Sequence, residues 1–272
     1  MTKVTVTGNS GFDMRDIDFS TMFYGYRFVQ TGSVFRITYS NGWADEFRGS
    51  GFRYANDGTP TDGTVKSYAI FSHSSRLAVV DGLNVSVTKI VDAAETFSTA
   101  DDFRLIKNAM SGKDLLVGGQ GDDVAFSYGG NDRLLGKGGN DILKGGDGND
   151  TLTGGAGRDI VSGEKGADTF VFTRTSESNT FNRDKITDFS QQQNDTIDLS
   201  AIDANESARG NQAFKFIGAS EFHGKAGELR FEKQGGLTIV QGDTDEAARE
   251  AFIAASLAAS INIRGADTLR SP

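Results

Sequence analysis

GKGGNDILK (136–144), GGDGNDTLT (145–153) and GGAGRDIVS (154–162) are three consecutive nonapeptides in one frame. The frame runs without a gap through AMSGKDLLV (109–117), GGQGDDVAF (118–126) and SYGGNDRLL (127–135) upstream, and GEKGADTFV (163–171) downstream. Its fourth position is glycine in every repeat: Gly112, Gly121, Gly130, Gly139, Gly148, Gly157 and Gly166. Its sixth is aspartate in every repeat: Asp114, Asp123, Asp132, Asp141, Asp150, Asp159 and Asp168. The eighth is apolar: Leu116, Ala125, Leu134, Leu143, Leu152, Val161 and Phe170.

Each fixed position has a physical reason. Six residues must turn sharply, and glycine reaches positive φ without a Cβ clash. The last three, such as Ile142-Leu143-Lys144, form a short strand that points its eighth residue inward. One repeat cannot bury that side chain alone, so stacked repeats must build a narrow core between two short parallel sheets. With two repeats per turn, residues 18 apart stack. Asp114, Asp132, Asp150 and Asp168 then line one edge, and Asp123, Asp141 and Asp159 line the other.

Carboxylates stacked at one strand spacing, about 4.8 Å, repel each other. A hard divalent cation between them removes the penalty, and calcium, which takes about six to eight oxygens, fits better than magnesium. The candidate ligands are those seven aspartates together with the loop carbonyls of Gly121, Gly130, Gly136, Gly139, Gly145, Gly148, Gly154 and Gly157. Four rungs on one edge and three on the other leave (4 − 1) + (3 − 1) = 5 gaps, so about five calcium ions are expected. Asx turns explain the aspartates equally well taken singly, and a flexible linker explains the glycines. Neither accounts for a large apolar residue at every ninth position.

Composition narrows the function classes. Glycine supplies 35 of 272 residues and proline only 2, so the turns are glycine turns and not proline-rich linkers. Cysteine is absent, which removes disulfides, cysteine zinc sites and thiol nucleophiles. The formal charge of −9 disfavours nucleic acid as a partner. No window approaches the apolar length of a membrane span, and the N-terminus has no secretory-signal core.

The repeat resembles that of the repeats-in-toxin (RTX) proteins, G-G-x-G-x-D-x-U-x with U apolar. The resemblance implies a calcium-binding parallel β-roll. Ala109-Met110 and Ser127-Tyr128 depart from the leading glycine pair, and Ala125 and Arg133 disturb the second and third repeats. Gly166-Ala-Asp-Thr-Phe-Val-Phe, Asp184-Lys-Ile-Thr-Asp-Phe, Asp195-Thr-Ile-Asp-Leu-Ser, Gln212-Ala-Phe-Lys-Phe-Ile-Gly and Gly227-Glu-Leu-Arg-Phe are similar to the C-terminal region of serralysin-type secreted metalloproteases. That resemblance covers about 109–243. It implies an extracellular module that carries an uncleaved C-terminal signal read by a type I exporter.

Short strands are expected at 170–172, 185–189, 196–199, 214–217, 229–231 and 237–241 from their alternation. The alanine-rich run Asp245–Ser260 reads as a helix, or else as a divergent form of the family's last strands. Residues 1–108 hold 16 of the 27 aromatics and read as β-rich. Asn41-Gly42 and Asp57-Gly58 mark hairpins, and Ser98 starts a helix that could cover the open end of the solenoid.

The expected fold is therefore all-β dominated. A β-rich N-terminal domain with a capping helix (1–108) precedes a calcium β-roll (109–171) and a β-rich serralysin-like module ending in a helix (172–272). Neither His73 nor His223 sits in a His-Glu-x-x-His motif, so no metalloprotease centre is expected. Trp43 with Tyr24, Tyr26, Tyr39 and Tyr54 could stack carbohydrate, although sandwich core explains such residues more simply. Asp45-Glu46 face opposite sides of a strand, against a paired-acid role.

The function expected is a secreted, extracellular calcium-binding protein that folds on calcium outside the cell. A non-catalytic surface or matrix role, with extracellular polysaccharide as a further partner, is favoured. A polysaccharide-modifying enzyme (lyase, epimerase or glycosidase) with its site in 1–108 is the alternative.

Overall fold

The computed structural model describes residues 1–9, 11–73, 75–96, 98–244, 250–255, 263–264 and 266–267. Strand β1 (Lys3–Val6) is followed by the hairpin-linked strands β2 (Arg27–Gln30), β3 (Val34–Thr38), β4 (Trp43–Tyr54), β5 (Pro60–Ser72) and β6 (Ser75–Ser86). These pair antiparallel in the order β2-β3-β4-β5-β6-β1. Gly42 and Gly58 take positive φ at the two hairpin turns, as the Asn-Gly and Asp-Gly dipeptides require.

Two helices follow, α1 (Val87–Ala94) and α2 (Thr99–Ala109). In α2, the Ser98 hydroxyl caps the Ala100 N–H at 3.3 Å, and Met110 closes the last turn onto the Ile106 carbonyl.

The repeats then alternate between two sheets. Strands β7 (Leu115–Val117), β9 (Arg133–Gly138), β11 (Thr151–Ala156) and β13 (Thr169–Val171) stack in parallel on one face. Strands β8 (Val124–Phe126), β10 (Ile142–Asp147) and β12 (Ile160–Lys165) stack on the other. Leu116 pairs with Leu134, Leu134 with Leu152 and Leu152 with Phe170, each 18 residues apart. All four are buried, with Leu143 and Val161 from the facing sheet. This is the parallel β-roll.

The inner strands are six residues long, where three were expected. Pairing resumes beyond the leading glycine of each following repeat: Leu135 with Thr153, then Lys137 with Gly155. The second position of the repeat, not only the fourth, is left-handed there. Gly146 and Gly155 take φ of 105° at that position, and Lys137 and Glu164 take 80° and 69°.

The roll also continues past Val171. β14 (Asp184–Ile186) adds in parallel to β12, and β15 (Thr196–Asp198) adds to β13. Beyond them, β16 (Phe214–Phe216), β17 (Glu228–Gln234), β18 (Leu237–Asp243) and β19 (Glu250–Ala255) extend the second sheet, with β17, β18 and β19 antiparallel.

The helix expected over Asp245–Ser260 is corrected by β19, which pairs with β18 on one side and β14 on the other. Two sheet edges offering hydrogen bonds outweigh an alanine preference of a few tenths of a kcal/mol per residue. Positions 245–249 and 256–260 of that run, and the terminal 268–272, lie outside the described residues.

Helix α2 packs on α1 and β6, and its Ile106 and the following Met110 share one core with Leu116 and Leu134. The sheet edge itself is taken by β1, which extends the first sheet in parallel with β7, while Asp13 bridges to Val124 of β8. A covering strand satisfies the orphan edge of β7 with hydrogen bonds, which a helix laid across it could not do.

Candidate metal centre

The aspartates of the repeat form two ladders, one on each edge of the roll. In the first, the Asp114 N–H donates to Asp132 Oδ1 at 2.7 Å, Asp132 to Asp150 at 2.8 Å, and Asp150 to Asp168 at 2.9 Å. In the second, Asp123 donates to Asp141 and Asp141 to Asp159, both at 2.8 Å. One oxygen of each carboxylate is thus spent on the main chain of the turn before.

Both ladders are longer than the nonapeptides. Asp168 donates to Asp195 Oδ1 at 3.0 Å, and Asp159 donates to Asp184 Oδ1 at 2.9 Å. At the other end the N-terminal segment imitates a preceding turn. The Thr2 N–H donates to Asp114 Oδ1, and the Phe12 N–H to Asp123 Oδ1 at 2.7 Å.

The second oxygen is what remains. Oδ2 of Asp114, Asp132, Asp141, Asp150, Asp159 and Asp168 is buried and has no protein hydrogen-bond partner. In Asp123 and Asp195 the main chain takes that position: Asp123 Oδ2 accepts from the Gly119 N–H and Asp195 Oδ2 from the Ser190 N–H, each at 2.6 Å. An unpaired buried carboxylate oxygen is costly. Burial accordingly pushes Asp141 up to about 8 and Asp150 up to about 7, with the flanking ladder carboxylates adding to the rise. Burial likewise pushes Asp159 and Asp168 up to about 6 and Asp184 up to about 9.

The leading glycines shape the space around Oδ2. A Cβ at Gly136 would collide with Asp141 Oδ2 and the carbonyl of Gly154. At Gly145 it would meet Asp150 Oδ2, and at Gly154 it would meet Asp159 Oδ2. The fourth-position glycines bring turns together: a Cβ at Gly148 or Gly157 would strike the carbonyl of Gly130 or Gly139 one turn away. Gly121 likewise places its carbonyl under Gly139. No cluster of three His, Cys, Asp or Glu side chains suited to a metal occurs among the described residues. A cation in these gaps therefore draws on two carboxylates at most and completes its shell from main-chain oxygens. That donor set is all hard oxygen, which suits calcium.

A third row needs no cation. The fifth-position side chains accept main-chain N–H groups one turn on: Asp122 from Asn140 at 2.6 Å, Asn140 from Arg158 at 3.0 Å, Asn131 from Asn149 at 2.9 Å and Asn149 from Ala167 at 2.9 Å.

The model of the Peptidase M10 serralysin C terminal family matches residues 84–261. The chain belongs to that family. The match is to the C-terminal region, not to a protease domain. His73 lies beside Ser72, and His223 pairs with Glu228 at 2.9 Å, so the two histidines are not brought together.

No curated protein matches the chain. Among solved structures it is similar to the AlgE6R3 subunit of the mannuronan C5-epimerase from Azotobacter vinelandii. That likeness has 28% identity over 54% of this chain and 72% of that one, with a TM-score of 0.29. The AlgE6R2 subunit of the same organism's enzyme matches at 25% identity over 58% and 91%, with a TM-score of 0.31.

In the N-terminal half the aromatics expected to act together are divided. Tyr24, Tyr39 and Trp43 line one cleft, whereas Tyr54 packs on Phe35 and Tyr26 does not line that cleft. Asp45 and Glu46 point apart, Asp45 to the hydroxyls of Tyr39 and Tyr68, and Glu46 to Arg36 and Arg48. No helix among the described residues is long and apolar enough to cross a membrane.

Proposed function

We propose that this protein is a secreted calcium-binding RTX protein whose roll folds when calcium is supplied outside the cell. The reading rests above all on the buried, unpartnered Oδ2 atoms of the two ladders. With Asp195 and Asp184 included, the ladders have five and four rungs. The gaps then number (5 − 1) + (4 − 1) = 7, and each is bordered by at least one unpartnered Oδ2. We therefore place about seven ions, two more than the nonapeptides alone suggest.

When bound, calcium supplies positive charge and Lewis acidity to oxygens that the protein leaves unmatched. The chain supplies the rest. Oδ1 of each aspartate ties adjacent turns, the leading glycine keeps room beside Oδ2, and the fifth-position ladder holds the register. Extracellular calcium modules have Kd of about 10⁻⁴–10⁻³ M. At ten times Kd one site contributes about 1.4 kcal/mol, and seven contribute about 10. That compares with about 5–15 kcal/mol for the stability of a whole domain. At cytosolic calcium the contribution nearly vanishes, which would leave the chain unfolded for a type I exporter.

We assign the N-terminal half a non-catalytic surface or matrix role. Asp45 and Glu46 diverge, so they are not the facing carboxylates that glycoside hydrolysis needs. Elemental analysis after dialysis against millimolar calcium tests the metal reading. About seven ions per chain are expected, and a chain that retains none contradicts it.

A further inference from the structure

The N-terminal sheet carries a cleft of about 540 Å³ that the roll does not use, a size typical of small-molecule sites. One wall is the segment from Gly11 to Thr21, and the other comes from β4, β5, Leu77 of β6 and the turn between β3 and β4. Trp43 is about 42% exposed at its rim and Tyr24 about 69%. Deeper in, Asp45 Oδ2 accepts from the Tyr39 hydroxyl at 2.6 Å and Oδ1 from the Tyr68 hydroxyl at 2.8 Å.

The charge of the lining is one-sided. Four carboxylates face it (Asp13, Asp16, Asp18 and Asp45), and no lysine, arginine or histidine does. Arg15 reaches round to neutralise Asp13. Asp16, Asp18 and Asp45 form no ion pair among the described residues. The hydroxyl protons of Tyr39 and Tyr68 are committed to Asp45, so these residues offer the cleft ring surface and not donors.

Each ligand class asks something different of such a wall. An anion, including a polyuronate, needs donors and would meet uncompensated carboxylates. A neutral sugar needs donors and acceptors in balance, whereas here the side-chain donors of Thr21, Ser40 and Asn41 face four carboxylates. An organic cation needs negative charge and aromatic faces, and those are what the cleft presents.

We propose that this cleft binds an organic ammonium group, such as a protonated or quaternary amine, between the Trp43 and Tyr24 rings and the Asp16–Asp18–Asp45 carboxylates. Burial, with Asp18 nearby, already holds the Asp45 carboxyl above the usual carboxylate range, and a cation beside it relieves that penalty. None of the residues proposed to hold the cation is a ladder member, although Phe12 in the same wall donates its N–H to Asp123 Oδ1.

Trp43 is the only tryptophan in the chain, so its emission reports on the cleft alone. The calcium-saturated full chain is titrated with choline, with its neutral carbon isostere 3,3-dimethylbutan-1-ol, and with a neutral glucose oligosaccharide. Choline is expected to change the emission saturably, with the isostere at least about fivefold weaker. The double variant Asp16→Asn/Asp18→Asn, which keeps an acceptor for the Ser20 N–H that Asp18 binds, is expected to weaken choline by a similar factor. If that variant does not fold, the isostere comparison on the unmodified chain still decides. Equal binding of choline and its isostere, binding of the oligosaccharide alone, or no saturable change would each overturn the assignment.

Discussion

The main-chain N–H of Asp159 donates to Oδ1 of Asp184 at 2.9 Å, across 25 residues. The same bond joins Asp141 to Asp159 at 2.8 Å across 18. The loop between the rungs has lengthened, yet the contact is preserved. Asp184 is therefore a rung of the ladder although it lies outside any nonapeptide. Asp184→Asn keeps an oxygen acceptor for that N–H and removes the charge. The variant should fold in calcium and bind about one ion fewer, losing about 1.4 kcal/mol of calcium-linked stability at ten times Kd. Unchanged stoichiometry by elemental analysis would place Asp184 outside the metal sites.

Gly136 and Gly112 make a matched pair. A Cβ at Gly136 collides with Asp141 Oδ2 and the Gly154 carbonyl, whereas at Gly112 it meets nothing within 4 Å. Gly136→Ala is expected to cost about 1–3 kcal/mol through overpacking, and to weaken calcium in the adjoining gap. Gly112→Ala should lie within about 0.5 kcal/mol of the parent. Thermal unfolding of both variants in calcium checks the contrast.

Lys137 sits at φ 80°, where neighbouring repeats have Gly146 and Gly155 at 105°. Left-handed backbone costs a non-glycine residue about 1–2 kcal/mol. Glycine gives back about 0.5–1 kcal/mol through the freedom of the unfolded chain. Lys137→Gly should therefore stabilise the calcium-loaded roll by about 0.5–1 kcal/mol, raising Tm by a few degrees. A lower Tm would mean that the lysine side chain contributes more than its backbone costs.

The calcium-free protein should have an unusual pH profile. Burial raises Asp141 to about 8, Asp150 to about 7 and Asp184 to about 9, above the unfolded value of about 3.9. Carboxyls raised by folding stabilise the fold below their unfolded pKa, and that stability is lost as pH climbs through the folded values. In chelator, the β signal should therefore be lost as pH rises from about 4 to about 9. With calcium saturating, the loss should disappear. A chelator profile that rises with pH would contradict the burial of these charges.

How far the sequence discloses this architecture depends on how local each cause is. The roll from Asp114 to Asp168 is legible because glycine, aspartate and an apolar residue are each demanded by one turn and repeated at the same spacing. Asp184 and Asp195 fall outside the count because their loops break the period. The trace they leave is a triplet: Asp184-Lys-Ile and Asp195-Thr-Ile repeat the pattern of Asp168-Thr-Phe. Helix α1 hides in a β-branched stretch, but Val87, Ile90, Val91 and Ala94 are spaced for one helical face and all are buried. The pairing of β1 with β7 joins segments more than a hundred residues apart, and no local pattern announces it. β19 shows the reverse case, where a local alanine preference gives way to partners on both edges.

The most direct test is far-UV circular dichroism of the full chain, taken from chelator into millimolar calcium at neutral pH. The account predicts a cooperative gain of β signal, with a midpoint of about 10⁻⁴–10⁻³ M, reversed on adding EDTA. A spectrum already fully β in chelator and unmoved by calcium would contradict it.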